Sequence, residues 1–366
     1  MRRAVTSHML ALAFGVAATA DCTRQGADLS RPELQRIGSF GDLVGYWQFG
    51  EGSDRYVAVL DKNPTRDEDE LRVFARAGGQ WRLVRRAWLR APGAETLDGH
   101  AFAGAIFVCI EVNGNHPLAL LVADYRFLIG AAEGSVIPIG PLALTSQQLG
   151  TVQVPLSAIW NVMMLEPSAW LFSPRFVRGS VRGPLVVAST ADGQVALVGP
   201  GIGSPGTELH APRIRNAVEP QAVLEHEGLI VAFLRPREDE VYPFWLRQRY
   251  PRPGSSINGD LVVTQGSRPE LNLSAGLGPV TRFALAPAND GGLWIFALID
   301  APVGTDVVAL ERAKDKWMER ERRSFDREFR DVSAEAGANP GEWHLVYQTA
   351  SAEGSTLEYQ TWQLGR

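Results

Sequence analysis

Arg76-Ala77-Gly78-Gly79-Gln80-Trp81, trailed by Arg85-Arg86, recurs later in the chain as Arg312-Ala313-Lys314-Asp315-Lys316-Trp317, trailed by Arg322-Arg323. In both copies a β-rich run comes first, Leu71-Arg72-Val73-Phe74 and Val307-Val308-Ala309-Leu310, and a short turn then leads to tryptophan. Each copy reads as strand, turn, Trp and an outer strand with exposed cations, and the indole is expected to cover a seam between packed sheets. The second copy also fits a charged helix. Ala309 to Phe329 is rich in Glu, Arg, Lys and Met, with Leu310, Ala313 and Trp317 at helical spacing. Strand and helix both stay open there.

The two copies belong to a wider series of paired β-rich runs. Tyr56 to Leu60 pairs with Leu71 to Phe74, Leu229 to Phe233 with Tyr242 to Leu246, Leu293 to Ala297 with Val307 to Leu310, and Trp343 to Tyr347 with Leu357 to Trp362. Two weaker pairs begin near Leu118 and Leu185. The series recurs every roughly 45 to 65 residues, which predicts four-stranded propeller blades that bury their faces against one another. The expected fold is all-β, a six-bladed β-propeller of antiparallel blades over residues 38–366. The segment Leu43 to Phe49 is expected to supply the strand that closes the last blade and removes its open edge.

Composition agrees with a turn-rich β protein. Of 366 residues, 45% are hydrophobic and 21% charged, with 37 Gly, 23 Pro and 10 Trp, which excludes disorder and collagen-like repeats. Lys and Arg total 36 against 41 Asp and Glu, a net charge of -5, so no general nucleic-acid surface is expected.

Residues 1–20 read as a signal peptide: Arg2 and Arg3 are basic, Met9 to Ala18 is a short apolar core, and Ala18-Thr19-Ala20 gives the small-x-small cleavage pattern. Export to the periplasm or outside the cell is expected, with residues 21–37 as a lead segment. Cys22 follows the cleavage site and raises the alternative of a lipid-modified N-terminus, against which stand Asp21 and Thr19. The other cysteine, Cys109, sits in an apolar run and reads as a core thiol or as the partner of Cys22 in a disulfide. The h-region is too short to span a bilayer.

Familiar catalytic signatures are absent from the sequence. It has no GxSxG, no Walker loop, and no GxGxxG opening a helix, and Gly199-Pro200-Gly201-Ile202-Gly203 reads as a loop because of its prolines. His8, His100, His116, His210, His226 and His344 are scattered, without HExxH or CxxC, so neither metal nor cofactor is expected.

The run Ala217-Val218-Glu219-Pro220-Gln221 through His226-Glu227-Gly228 to Phe233-Leu234-Arg235-Pro236 resembles the central blade of sialidases, where Glu-Pro leads through a Gly turn to a strand ending in Arg. The turn-to-Trp segments and Ser189-Thr190-Ala191-Asp192-Gly193 are similar to degenerate Asp-boxes of that family. The resemblance implies that Glu219 stands where a glutamate activates a tyrosine nucleophile, and that Arg235 is one of three arginines clamping a substrate carboxylate. It further implies Arg36, in Arg36-Ile37-Gly38, as a second arginine and Asp67 or Asp69 as acid/base. Sialidases differ from most glycosidases in using tyrosine, and a planar guanidinium suits a carboxylate.

Two departures qualify the resemblance. Gly304-Thr305-Asp306 occupies the third arginine's place, for which Arg282 or Arg312 could substitute only on a different backbone path. The expected nucleophile region, Val332 to Gly337, holds Ser333 and Glu335 but no phenol, while Tyr347 and Tyr359 fall inside strands. Each site residue also has a plain reading: Arg235 beside Arg237 and Glu238 to Glu240 fits a solvated ion-pair network, Glu219 a strand cap, and Asp67 to Glu70 an exposed hairpin loop. The expectation is a monomeric, exported propeller that binds acidic glycans and hydrolyses them if its catalytic set suffices. The alternative is an inactive envelope scaffold.

Overall fold

The computed structural model describes residues 33–51, 54–62, 69–90, 94–102, 105–112, 119–124, 135–138, 171–179, 185–190, 194–198, 214, 216–226, 228–237, 258–266, 268–314, 316–351 and 354–365. The signal segment, Cys22 and Asp67 lie outside them, as does the side chain of Cys109. One compact unit runs from Leu34 to Arg366. Among the described residues no helix is long and apolar enough to cross a membrane.

The unit is built from strands. β1 (Gln35–Phe40) precedes a meander of β2 (Leu43–Glu51), β3 (Asp54–Asp61), β4 (Asp69–Ala77) and β5 (Gln80–Arg90). β6 (Ala94–Phe102), β7 (Ala105–Val112) and β8 (Ala119–Asp124) follow, and β9 (Ser135–Pro138) adds in parallel to β5. Next come β10 (Leu171–Phe176), β11 (Val186–Thr190) and β12 (Val195–Val198), then β13 (Val218–Glu225), β14 (Gly228–Pro236), β15 (Gly259–Gln265) and β16 (Leu271–Asn272). β17 (Val280–Pro287), β18 (Leu293–Asp300), β19 (Thr305–Ala313) and β20 (Lys316–Phe325) form the next meander, and β21 (Phe329–Ala336), β22 (Glu342–Ser351) and β23 (Gly354–Gln363) the last.

The first strands of these meanders make a closed ring: β2 packs on β6, β6 on β10, β10 on β13, β13 on β17, β17 on β21, and β21 on β2. The chain is therefore an all-β propeller. Its apolar clusters lie in the seams between neighbouring meanders. One joins β13–β15 to β17–β19, and another joins β17–β19 to β21–β23 through Trp294, Phe296, Trp343 and Trp362. Burying the sheet faces in this way leaves the ring's axis to polar side chains.

Closure differs from the expectation. It is β1, residues 35–40, that pairs antiparallel with β23, while residues 43–51 open the first meander. Tyr46, Trp47 and Phe49 are too apolar for an outer edge and are buried. Trp47 needs the neighbouring sheet to be bare: a Cβ on Gly99 of β6 would stand 2.3 Å from its indole.

The repeated signature folds twice in one register. Arg76 faces Trp81 and Ala77 faces Gln80; Arg312 faces Trp317 and Ala313 faces Lys316. Each outer strand also bulges at the same place, with Val84 the extra residue opposite Val73-Phe74 and Arg320 the extra residue opposite Ala309-Leu310. Residues 316–325 are thus strand, because pairing with β19 outweighs their helical propensity. Trp81 packs edge-on to Tyr359 of β23 at 5.2 Å, and Trp317 packs on the apolar cluster between β13–β15 and β17–β19, so both indoles cover seams. The two-residue loop Gly78-Gly79 has φ of 59° and 80°, as a hairpin turn of this length requires, whereas the second copy places Lys314 at φ 58°. Lys314→Gly is expected to stabilise the protein by about 1 kcal/mol, read from the thermal midpoint.

Candidate functional site

Every first strand of the ring carries a register irregularity near its start: Leu43/Gly45, Ala94/Leu97, Phe172/Arg175, Val218/Gln221, Val280/Arg282 and Phe329/Asp331. A bulge bends a strand and re-aims the side chains beside it. At or next to these bulges stand Tyr46, Asp98, Arg175, Glu219, Arg282 and Asp331. Two of the bulges hold a non-glycine residue in the left-handed region, Ser173 at φ 48° and Glu219 at φ 51°. Such strain gathers at functional sites.

These six side chains interact across the axis. Burial works against the charge on Arg175, and Asp98, Asp331, Glu219 and Tyr46 hold it. Arg282 pairs with Glu219 at 3.1 Å, with 17% and 20% of the two side chains exposed. The Tyr46 hydroxyl stands 3.2 Å from the Val346 carbonyl and against the Asp331 carboxylate. Burial and Asp331 raise the Tyr46 phenol well above its ordinary value, with Arg175 opposing, so at neutral pH it keeps its proton. Burial, reinforced by Asp331, raises the Glu219 carboxyl against the pull of Arg282 and Arg175.

Below this layer the strands are laced by side chains. Asp98 accepts the Phe176 amide at 2.8 Å and faces Arg178 at 3.4 Å, while Arg178 donates to the Gly99 carbonyl at 3.0 Å. Gln221 donates to the Phe283 carbonyl at 2.6 Å and accepts the Leu285 amide at 2.9 Å. The cavity between them measures about 70 Å³, running from Tyr46, Arg175 and Asp331 to Ser333 and Glu335. Ser333 Oγ and Glu335 Oε2 are buried without a protein hydrogen-bond partner. Burial pushes the Glu335 carboxyl up to about 7, against Arg55, Arg178 and the Gly50 amide. Among the described residues no group of three His, Cys, Asp or Glu is placed to hold a metal ion.

Of the residues singled out from sequence, Glu219 stands in the axial cluster. Arg235 lies one strand further out, on β14, paired with Glu270 at 2.9 Å; the hairpin returns it to the same end of the sheet but not to the ring. Arg36 lies exposed on the closing strand β1, hydrogen-bonded to Ser39, and Asp69 is buried at the start of β4. The structure does not bring these three to Glu219. Arg282 does reach it, by the β17 bulge. The segment holding Ser333 and Glu335 lines the cavity, and the phenol at the axis is Tyr46, while Tyr347 and Tyr359 are buried in β22 and β23. Sequence reasoning missed Tyr46, Asp98, Arg175 and Asp331; the available signal was a polar residue near the start of each meander's first strand.

No protein-family model matches the chain, and no curated protein does. Among solved structures, Trypanosoma rangeli sialidase bound to 2,3-difluoro-KDN aligns at a TM-score of 0.50 and 9% identity, over 89% of this chain and 54% of that one. The WD40 domain of Toxoplasma gondii coronin aligns at 0.46 and 11%, over 92% and 85%. A GH43_1 enzyme from Xanthomonas citri, complexed with xylose, aligns at 0.40 and 6%, over 90% of both chains. The chain spans about half the length of the sialidase it matches. The likeness is one of fold, the β-propeller.

Proposed function

We propose that this chain is an exported, six-bladed propeller of sialidase-like design, each meander one blade, that binds an acidic glycan at the axial mouth. The convergence of Arg175 and Arg282 beside Glu219, on strands bulged to aim them there, carries this reading. A guanidinium fork binds a carboxylate in bidentate fashion.

Binding is favoured over turnover. Glu219 holds a proton more readily than an ordinary glutamate and suits general-acid work, but burial and the neighbouring Asp331 carboxylate raise the Tyr46 phenol well above its ordinary value and keep it protonated, which opposes its use as a nucleophile. The test is calorimetric titration of the purified mature chain with sialyllactose and lactose, beside a fluorogenic sialoside assay. Sialyllactose is expected to bind, lactose more weakly, and the affinity to fall with ionic strength. Arg282→Ala is expected to weaken sialyllactose at least tenfold, the effect of losing a charged hydrogen bond worth about 1.5–3 kcal/mol.

A non-enzymatic envelope scaffold is the second reading. The cavity of about 70 Å³ is smaller than ordinary ligand pockets, and the axial cations already have acidic neighbours. Absence of glycan binding in the same titrations would select it.

A further inference from the structure

Arg282 has an internal partner. A ligand carboxylate arriving at its guanidinium meets the Glu219 carboxylate 3.1 Å from the same nitrogen, and two anions on one cation repel. The chain holds Glu219 there at a cost. Its backbone sits at φ 51° inside a strand bulge, a conformation that costs a non-glycine residue on the order of 1–3 kcal/mol and persists only where the surroundings enforce it. Both side chains are partly exposed, so a ligand can reach the pair from solvent.

We propose that Glu219 is an internal stand-in for the ligand's carboxylate, a specificity gate that occupies Arg282 until an acidic ligand displaces it or a proton neutralises it. This rests on the reading of the axial mouth as an acidic-glycan site. The charged groups facing Glu219 are Arg282 from β17, Arg175 from β10 and Asp331 from β21. Burial and Asp331 already favour its protonated form. A bound carboxylate adds a further negative charge beside it and raises its proton affinity again, so binding takes up a proton. Affinity for an acidic glycan therefore rises as pH falls through the Glu219 titration, until the ligand's own carboxyl protonates below roughly pH 3.5. The gate also selects: a neutral sugar gains nothing from freeing Arg282.

Sialyllactose and lactose are titrated into the wild type, Glu219→Gln and Glu219→Gly between pH 4.5 and 8, with thermal midpoints recorded for each protein. The Gln variant keeps the shape of the side chain, and the Gly variant relieves the left-handed backbone, so at least one is expected to fold. At pH 7.5 both variants are expected to bind sialyllactose at least tenfold more tightly than wild type, with a smaller rise in affinity toward low pH, since Glu335 in the same cavity still titrates near 7. Wild-type affinity is expected to rise toward pH 5, and lactose binding to be insensitive to both changes. Wild-type binding with no pH dependence, or folded variants that bind equally or more weakly, would overturn the gate and leave the acidic-glycan reading standing. No sialyllactose binding by any of the three proteins at any pH would remove that reading, and the gate with it.

Discussion

Trp343→Ala is expected to destabilise the protein by about 3–5 kcal/mol, the usual cost of emptying a buried indole site. Trp343, on β22, is 1% exposed and stands 5.6 Å from Trp294 and 5.1 Å from Phe296 between ring centroids. These rings, with Trp362 and Leu364, fill the seam between the last two meanders. Rigid backbones on either side cannot collapse into the space, because each sheet is fixed by its own ladder and by the next seam. The first strands bordering this seam, β17 and β21, carry Arg282 and Asp331, so a loosened seam is also expected to weaken the glycan binding proposed for the axis. Urea unfolding at neutral pH measures the first effect; a loss below about 1 kcal/mol would show that the seam repacks.

Glu335→Gln is expected to change how stability depends on pH. In the folded chain burial holds this carboxyl up to about 7, from an ordinary 4.5, because the opposing Arg55, Arg178 and Gly50 amide do not offset the loss of water. The folded state therefore binds the proton more tightly than the unfolded chain. As pH rises above 4.5 the unfolded chain gives up its proton first, and folding is penalised progressively until the folded group also ionises near pH 7. The full penalty, about 3 kcal/mol from a shift of this size, applies above that pH. Glutamine keeps the shape and cannot ionise. The variant should match the wild type near pH 4.5 and exceed it by about 2–3 kcal/mol at pH 8, in urea unfolding at the two pH values. A parallel pH dependence in the two proteins would show that the carboxylate is adequately solvated in the fold.

Much of the architecture was legible because its causes are local. Gly78-Gly79 can form the two-residue turn that places Trp81 opposite Arg76, and the same spacing repeats at Arg312 and Trp317. Alternating apolar runs bounded by Gly and Pro gave strands at a period that only stacked sheets can bury. The closing strand was misplaced by a few residues. β1 and β2 are both short β-rich runs, and the choice between edge and ring depends on whether Tyr46 and Trp47 find neighbours in other sheets.

The sequence by itself determined most of the strands, the Gly78-Gly79 turn and the tryptophans at the seams, since each follows from residues within a few positions of one another, whereas over residues 309–329 it left strand and helix open. The tertiary structure alone decided which charges meet. Arg235, sixteen residues beyond Glu219, lies nearby in the chain yet one strand away from the axis. Arg175, Arg282, Asp331, Asp98 and Tyr46, scattered along the chain, are brought into one cluster with it. The reason is geometric: ring closure gathers one edge of every sheet around a common axis, and a bulge near the start of each first strand chooses the side chain that faces it.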